Sequence, residues 1–290
     1  MIDMWIFFAF GSAFFAGMTA ILSKSGIKNT DSNVATAIRT VVVLIFSWLM
    51  VFIIGSQGTI GEISRKTLFF LILSGFATGA SWLCYFKALQ LGNVNKVTPI
   101  DKSSTILTML LAILFLGESL TLIKVLAILL IGAGTYLMIQ KKKDVDPLAV
   151  RSNRWIIYSI FSALFASLTS ILGKVGIEGV ESNLGTAIRT IVVLIMAWVI
   201  VFTTGKQHLL KKIDRTSWIF LILSGIATGS SWLCYYRALQ DGLASVVVPI
   251  DKLSILITIL FSYLFLKETL TKKALLGLVM IVGGTLSLLL

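Results

Sequence analysis

Residues 74–90 read SGFATGASWLCYFKALQ, and residues 224–240 read SGIATGSSWLCYYRALQ. An offset of 150 residues joins these two segments and aligns the two halves of the chain without a gap, with about 66 of about 140 positions identical. The tetrapeptide Pro99-Ile100-Asp101-Lys102 recurs in the same way as Pro249-Ile250-Asp251-Lys252. Because chance similarity between apolar segments does not preserve proline and charged positions, the chain is an internal duplication.

The composition indicates that this duplicated chain lies in lipid. It has 290 residues, of which 57% are apolar and 13% charged, and its mean hydropathy is +0.96. Soluble domains carry about 25% charged residues, and one globular core cannot hide this much apolar surface. A soluble enzyme, a DNA-binding protein and a secreted disulfide scaffold are therefore excluded. The net charge of +12 is interpreted as loop lysines that orient helices in a membrane, and we expect no nucleic-acid partner.

Each copy contains five apolar runs that can cross a hydrocarbon core of about 30 Å at about 1.5 Å per residue. Because five is odd, the second copy must enter the bilayer from the opposite face, which predicts two inverted repeats related by an in-plane pseudo-two-fold axis. We predict an all-α polytopic membrane protein of ten transmembrane helices, with repeats at 1–140 and 155–290 and a linker at 141–154. The ten runs are 5–22, 34–54, 68–90, 94–116, 122–139, 155–172, 184–204, 218–240, 244–266 and 273–290.

The charges of the loops give an independent orientation. One side of the membrane carries most of the basic loop residues, and the other carries little beyond Arg65, Lys66, Lys124 and Lys174. Since basic loops stay in the cytoplasm, we predict a multi-pass protein of the cell membrane (inner or plasma membrane), with both termini outside and the 141–154 linker inside. The basic side holds Lys24, Lys28, Lys141, Lys142, Lys143, Arg151, Arg154, Lys206, Lys211, Lys212, Arg215, Lys267, Lys272 and Lys273.

A motif present in both copies resembles a known family. In the first copy Pro99 precedes an apolar run that ends in FLGESLT at 115–121, followed by Gly132-Ala133-Gly134. In the second copy Pro249 precedes FLKETLT at 265–271, followed by glycines at 277, 283 and 284. These residues resemble the drug/metabolite transporter superfamily, in the form of two tandem EamA-type repeats that cover essentially the whole chain. The resemblance implies a ten-helix bundle around a central cavity that moves small solutes by alternating access, and it implies no particular substrate.

Charged residues inside the apolar runs are the first site candidates, since a charge at mid-membrane costs several kcal/mol. They are Arg39, Lys87, Asp101 and Lys102, with the counterparts Arg189, Arg237, Asp251 and Lys252. Asp101 is expected about 12 Å deep, and its inverted mate equally deep from the other face, so the two carboxylates could share one cavity. Aspartates are too short to snorkel, which favours a cavity or a buried ion pair and makes Asp101 and Asp251 candidates for substrate contact or ion coupling.

The partners of these charges stay open. Arg39 and Lys87 either line the cavity or snorkel to the interface. Lys102 lies about 100° around the helix from Asp101 and is expected to point elsewhere, so these neighbours need not pair. Arg39 is the better-placed partner of Asp101, either within the site or as a structural bridge between the second and fourth helices. Glu118 and its counterpart Glu268 end the fourth helices near the interface, where we expect both to be solvated.

Polar residues at helical spacing extend the candidate site along two pairs of helices. We interpret them as lining a wet cavity, and interhelical hydrogen bonding is the alternative. Trp82 and Trp232 either line the cavity or pack, and Pro99 and Pro249 are candidate hinges. The polar residues are Ser104, Thr108, Ser254 and Thr258 on the fourth helices, and Ser74, Thr78, Ser81, Tyr85, Ser224, Thr228, Ser231 and Tyr235 on the third. Gly75, Gly79, Gly225 and Gly229 form small-residue faces on which helices are expected to pack closely.

The sequence also limits the chemistry. With one histidine, His208, and no Gly-rich phosphate loop, we expect no metal, no cofactor and no catalytic residues. Our hypothesis is a secondary transporter that exports a small polar or amphipathic solute, with protons as the coupling ion. The embedded charges sum to about +2 per copy, which favours substrates bearing a carboxylate or phosphate, amino acids included. The alternatives are a flippase for a lipid-linked headgroup, an intramembrane enzyme and a non-transporting scaffold.

Overall fold

The computed structural model describes residues 3–26, 30–91, 97, 100–138, 154–266 and 270–290. This part of the chain is helical and contains no β-strand. Its α-helices are α1 (Met4–Gly26), α2 (Ser32–Ile54), α3 (Arg65–Leu91), α4 (Ser104–Phe115), α5 (Leu122–Met138), α6 (Arg154–Ile177), α7 (Ser182–Thr203), α8 (Arg215–Asp241), α9 (Ala244–Lys252), α10 (Ser254–Leu266) and α11 (Lys272–Ser287). Short 3-10 helices, Ser56–Glu62 and Gln207–Lys212, follow α2 and α7 in equivalent loops.

Among the described residues, seven segments are long and apolar enough to cross a membrane. Six of them fall on α1, α2, α3, α6, α7 and α8, and the seventh is Ala244–Phe261, which covers α9 and part of α10. The chain is therefore a multi-pass membrane protein. The runs predicted at 122–139 and 273–290 form the shorter helices α5 and α11, of 17 and 16 residues. The run predicted at 94–116 and the linker at 141–154 lie partly outside the described residues, so the count of ten spans stays a prediction.

Polar side chains begin several helices at their N-terminal ends. They accept hydrogen bonds from backbone N–H groups that have no partner within the helix. Asp31 and Glu181, at equivalent positions in the two copies, cap α2 and α7 in this way. The N–H donors are those of Asn33 and Val34 for Asp31, Leu184 for Glu181, Ser217 for Asp214 and Ala274 for Thr271. These caps fix where the four helices begin.

Contacts divide the chain into two compact units, and each unit contains helices from both copies. The first consists of Met1–Phe76, Leu172–Gly242 and Asp251–Lys267, and the second of Ala77–Ile171, Leu243–Ile250 and Glu268–Leu290. Fold units and sequence repeats therefore do not coincide.

In the first unit, helices of one copy pack antiparallel to helices of the other. Along α1 and α8, Ser12 contacts Ser231 and Thr19 contacts Thr228, so position rises in one helix as it falls in the other. The second helices of the two copies show the same relation. Asp31 at the start of α2 pairs with Lys206 just after α7, and Val51 near the end of α2 packs against Leu184 near the start of α7.

Glycines allow some of these helices to approach closely. A Cβ atom on Gly225 of α8 would lie 2.6 Å from Val42 Cβ of α2, and one on Gly75 of α3 would lie 2.7 Å from Val192 Cβ of α7. Either substitution would force a neighbour to move. The structure thus confirms close packing on the small-residue faces at these two positions.

In the second unit, the fifth helices of the two copies pack together. A Cβ on Gly134 of α5 would lie 2.5 Å from the carbonyl oxygen of Gly277 in α11, and one on Gly284 would lie 2.9 Å from Leu130 Cβ. The order of these contacts makes α5 and α11 antiparallel. Met109 of α4 joins Ala127 and Ile131 of α5 in a buried core.

The fourth run of each copy is interrupted one residue after its Asp-Lys pair. In the second copy α9 ends at Lys252 and α10 begins at Ser254, with a turn at Leu253. In the first copy Asp101 and Lys102 are helical, Ser103 forms the turn and α4 begins at Ser104. Pro249 lies inside α9, one helical turn before the interruption, and Pro99 lies outside the described residues. A hinge at either proline stays a prediction.

Candidate functional site

The Asp251 carboxylate is held by a serine from the first helix of the chain. Ser12 Oγ of α1 donates to Asp251 Oδ1 at 2.6 Å. Ser231 Oγ of α8 donates to the carbonyl oxygen of Ser12 at 3.1 Å, and its hydroxyl lies 3.3 Å from Ser12 Oγ. On the other carboxylate oxygen, Lys252 Nζ lies 3.3 Å from Asp251 Oδ2. The neighbouring lysine therefore does pair in the second copy, although the helical spacing did not require it, because the long lysine side chain curls back to Asp251.

The Asp101 carboxylate has the equivalent arrangement in the second unit. Ser162 Oγ of α6, the counterpart of Ser12, donates to Asp101 Oδ1 at 2.8 Å. Ser81 Oγ of α3 donates to the carbonyl oxygen of Ser162 at 3.0 Å. In both units, then, a carboxylate from the fourth run and a serine from the third helix of one copy meet a serine from the first helix of the other copy. We call each set of three residues an Asp-Ser-Ser cluster.

The threonines of the third helices make an equivalent contact one to two turns away. Thr228 of α8 lies 3.3 Å from Thr19 of α1, and Thr78 of α3 lies 3.3 Å from Thr169 of α6, measured between hydroxyl oxygens. These polar residues thus form hydrogen bonds between helices, the alternative that the sequence left open.

The remaining polar candidates bond their own helices or contact their neighbours along the chain. Thr108 and Thr258 donate to the carbonyl oxygens of Ser104 and Ser254 in their own helices. Tyr85 and Tyr235 are half-buried and stack edge-on against their chain neighbours. The structure therefore places Ser81 and Ser231 against the serines that bond the carboxylates, and it gives Thr108 and Thr258 local backbone bonds.

The two arginines of the second helices lie in different surroundings. Arg189 is 1% exposed, its guanidinium lies over the rings of Trp232 at 5.2 Å and Tyr236 at 4.6 Å, and its Nε donates to Ser74 Oγ at 3.2 Å. Such cation–π contacts stabilise a desolvated guanidinium by about 2 kcal/mol. Trp232 thus contacts this arginine.

Arg39, the counterpart of Arg189, is half-buried and donates to Ser23 Oγ at 2.7 Å. Its proposed partner Asp101 belongs to the other unit, so that pairing stays a prediction. Lys87 is exposed, and its counterpart Arg237 is 43% exposed and pairs with Asp241 at 3.2 Å. Of these four cations, Arg189 is the one whose side chain is almost fully buried.

Glu118 is a buried residue, and the expectation that it is solvated is wrong. It is 8% exposed, accepts from Lys124 Nζ at 3.3 Å and from the backbone N–H of Ala244 at 2.7 Å, and also bonds the Ser245 hydroxyl. A negative charge at a helix N-terminus is stabilised by the unpaired N–H groups there. Glu118 therefore ties the loop after α4 to the start of α9. Its counterpart Glu268 lies outside the described residues.

Sequence reasoning missed Ser12 and Ser162. Both lie in apolar runs, and both are identical in the two copies, as are Thr19 and Thr169. The same comparison that selected the third-helix residues would have selected these four.

The structure offers little to hold a metal. Among the described residues, no group of three or more His, Cys, Asp or Glu side chains is arranged to bind a metal ion. The first unit does contain a cleft of about 690 Å³ at the ends of α6 and α8, lined by Glu62, Glu178, Glu181, Arg237 and Asp241 among others. The Asp-Ser-Ser clusters are not part of its lining.

Comparisons with known proteins place both copies in one family. The family model of EamA-like transporters matches residues 3–140 and 153–290. An uncharacterized transporter in the cobO 3′ region of Sinorhizobium sp is 44% identical over 137 residues, which cover 47% of this chain and 97% of that protein. That relative therefore has about the length of one repeat.

Two further comparisons extend over more of the chain. An uncharacterized transporter of Synechocystis sp. is 25% identical over 240 residues, covering 78% of this chain and 67% of that one. A crystal structure superposes with a TM-score of 0.79 at 14% identity, covering 99% of this chain and 97% of that one. Because the family model matches both copies along nearly their whole length, the chain belongs to the EamA-like transporter family of the drug/metabolite transporter superfamily.

Proposed function

We propose that this protein is a secondary active transporter that exports a small polar or amphipathic solute by alternating access. The observation that carries the proposal is the Asp-Ser-Ser cluster, which occurs once in each unit with its carboxylate next to the break in a membrane helix. Asp101 and Asp251 are the substrate or proton-coupling residues of this proposal.

A carboxylate within a membrane segment is costly, and it is found where it faces a polar cavity or a partner. Helices interrupted in the membrane are a feature of transporter sites, because the freed backbone groups near the break bind ions and solutes. The breaks at Ser103 and Leu253 directly follow the Asp-Lys pairs. Carboxylate and broken helix thus support the same site.

The antiparallel packing supports two inverted repeats. Equivalent helices of repeats with the same orientation would run parallel, whereas α2 lies antiparallel to α7 and α5 to α11. Together with the basic loops, this supports ten spans, termini outside, a cytoplasmic 141–154 linker and a location in the cell membrane.

The embedded cations support a substrate class. Arg189 is an almost fully buried arginine, and Arg39 is a half-buried one in the first copy. Fixed cations near a transport path favour solutes with a carboxylate or phosphate. An amino acid carries both charges, so its carboxylate would lie near an arginine and its ammonium group near Asp101 or Asp251.

The test uses purified full-length protein in liposomes. A thermal-shift screen over amino acids, other carboxylates, phosphates and organic cations selects the solute, and uptake of that labelled solute is measured with and without a pH gradient. We expect Asp101→Asn with Asp251→Asn to reduce gradient-driven uptake about tenfold or more, since a bond to a charged group contributes about 1.5–3 kcal/mol.

Asp241→Asn is the matched control, because Asp241 is an exposed carboxylate outside both clusters. It should leave uptake unchanged. Full uptake in the Asp101/Asp251 double variant would overturn the site, and movement of labelled lipid headgroups without solute uptake would favour a flippase. A covalently altered solute would favour an intramembrane enzyme.

A further inference from the structure

We infer that Ser12 and Ser162 are positioning residues that hold the carboxylates of Asp251 and Asp101 for transport, so that the first helix of each repeat controls the site of the other repeat. This inference rests on the proposed function of the two carboxylates. It concerns residues that contact those carboxylates through one hydrogen bond each.

The direction of these hydroxyls separates them from other serines and threonines on the same helices. A hydroxyl within a helix commonly donates to a carbonyl oxygen of the preceding turn. On α6, Ser159 donates to Trp155 and Ser167 to Leu164 in this manner. Ser162, on the same helix and equally buried, points away from its own helix instead, with Asp101 Oδ1 as its near acceptor at 2.8 Å and the Ser81 carbonyl oxygen further away at 3.3 Å.

The arrangement recurs in both units with the same residue types. Ser12 and Ser162 are both fully buried, and each also receives, at its backbone carbonyl oxygen, a hydrogen bond from the third helix. Packing alone requires only a small side chain at these positions. An alanine, which has no hydroxyl, would meet that requirement. A hydroxyl aimed at a carboxylate in both copies fits a role in orienting that carboxylate.

The bonds cross between helices that belong to different repeats. Ser12 and Asp251 are 239 positions apart along the chain, and Ser162 and Asp101 are 61 apart. If α1 slides along α8 during alternating access, the Ser12 to Asp251 bond must break or follow. The serine thereby links the position of the first helix to the orientation of the carboxylate.

A double-mutant cycle tests this role in transport. The probe is an equimolar mixture of radiolabelled amino acids, taken up by liposomes that contain the full-length protein. We expect Ser162→Ala to lower uptake about three- to tenfold, as expected for the loss of one bond to a charged group, and Ser162→Thr to restore part of it. In an Asp101→Asn background the same substitution should have no further effect.

Ser167→Ala is the matched control, since it removes an equally buried hydroxyl of α6 that bonds its own helix. Uptake equal to that of the unsubstituted protein in Ser162→Ala, or an equal loss from Ser162→Ala with and without Asp101, would overturn the inference. The same cycle with Ser12 and Asp251 tests the first unit.

A second measurement needs no transport and separates this inference from the proposed function. In infrared difference spectra recorded on the protein after a pH jump, the carboxyl band that disappears in Asp251→Asn is assigned to Asp251. Removing a hydrogen-bond donor from a carboxyl changes its C=O stretching frequency, so we expect Ser12→Ala to shift this band and Ser167→Ala to leave it in place. An unshifted band would overturn the positioning role, whereas a shifted band in a protein that moves none of the amino acids would retain it and reject that substrate class.

Discussion

At the scale of single residues, the cap of α8 has a measurable pH dependence. Asp214 lies just before the helix, outside the membrane-spanning segments, and accepts from Ser217 Oγ at 2.6 Å and from the Ser217 backbone N–H at 3.1 Å. The Ser217 hydroxyl bond, aided by the backbone bond, lowers the pKa of Asp214 below its ordinary value. A carboxyl with a lowered pKa in the folded state adds stability above its unfolded pKa, and that stability is lost as the pH falls through the folded value.

We therefore predict that Asp214→Asn flattens the acid side of the stability curve. The apparent melting temperature in detergent is measured from neutral pH down to below about pH 4, the ordinary range of aspartate. The wild-type curve should fall more steeply than the variant curve in this window, and Ser217→Ala should also flatten it. Parallel curves for wild type and Asp214→Asn would show that the cap contributes no pH dependence.

The residue scale also shows what one sequence can reveal. Asp101, Asp251, Ser81 and Ser231 were predicted because they recur in both copies inside apolar runs, and the structure joins them in the clusters. Glu118 was misjudged because its partners Ala244 and Ser245 lie 126 and 127 positions further along the chain. A motif at the end of a helix does not reveal which distant helix begins beside it.

At the scale of elements, the start of α9 depends on the Glu118–Lys124 ion pair. Both side chains are buried, with 4% and 6% exposed, and breaking a buried pair by removing one partner costs about 3–5 kcal/mol. We predict that Lys124→Met lowers the free energy of unfolding by about this amount, measured by denaturant titration in detergent. The reason is that the Glu118 carboxylate then remains buried without its cation.

Arg237→Met provides the control for that prediction. It breaks an ion pair with Asp241 whose side chains are 43% and 40% exposed, and exposed pairs contribute about 0–1 kcal/mol. Adding Glu118→Gln to Lys124→Met should recover part of the lost stability, because the amide still accepts hydrogen bonds without carrying a charge. Equal losses from Lys124→Met and Arg237→Met would contradict a stabilising role for the buried pair.

The helices themselves were only partly predictable. Apolar runs gave the long helices to within a few residues, since that signal is local. The interruption at Leu253 was not foreseen, although Pro249 drew attention to that region. A proline removes one N–H donor and weakens the turn around it, but tertiary contacts decide at which residue the helix breaks.

At the scale of the whole molecule, the inverted arrangement predicts opposite accessibility of equivalent loops. Gln57 and Gln207 occupy matching positions in the 3-10 helices after α2 and α7, and both are exposed. In a protein whose native cysteines, Cys84 and Cys234, are replaced by serine, we predict that Gln57→Cys reacts with an impermeant maleimide from outside the cell. Gln207→Cys should react only after the membrane is made permeable.

Labelling of both positions from the same compartment would contradict the inversion. The odd number of apolar runs and the loop charges predict opposite orientations, because both follow from the membrane itself. The packing of each first helix against the third helix of the other repeat could not be predicted. Contacts such as Ser12 with Ser231, 219 positions apart, leave no local pattern in a single sequence.

The pairing of α1 with α8 also determines when, during synthesis of the chain, α1 can form its polar contacts. The ribosome completes α1 first, and at about 5–20 residues per second the residues that complete its polar contacts follow roughly 10–45 seconds later. During that interval the Ser12 hydroxyl lacks these partners, and it can turn back to a carbonyl oxygen of its own helix. Late arrival of Asp251 would then draw the hydroxyl away, so that α1 gains its last polar contacts only after α8 and α9 have been inserted.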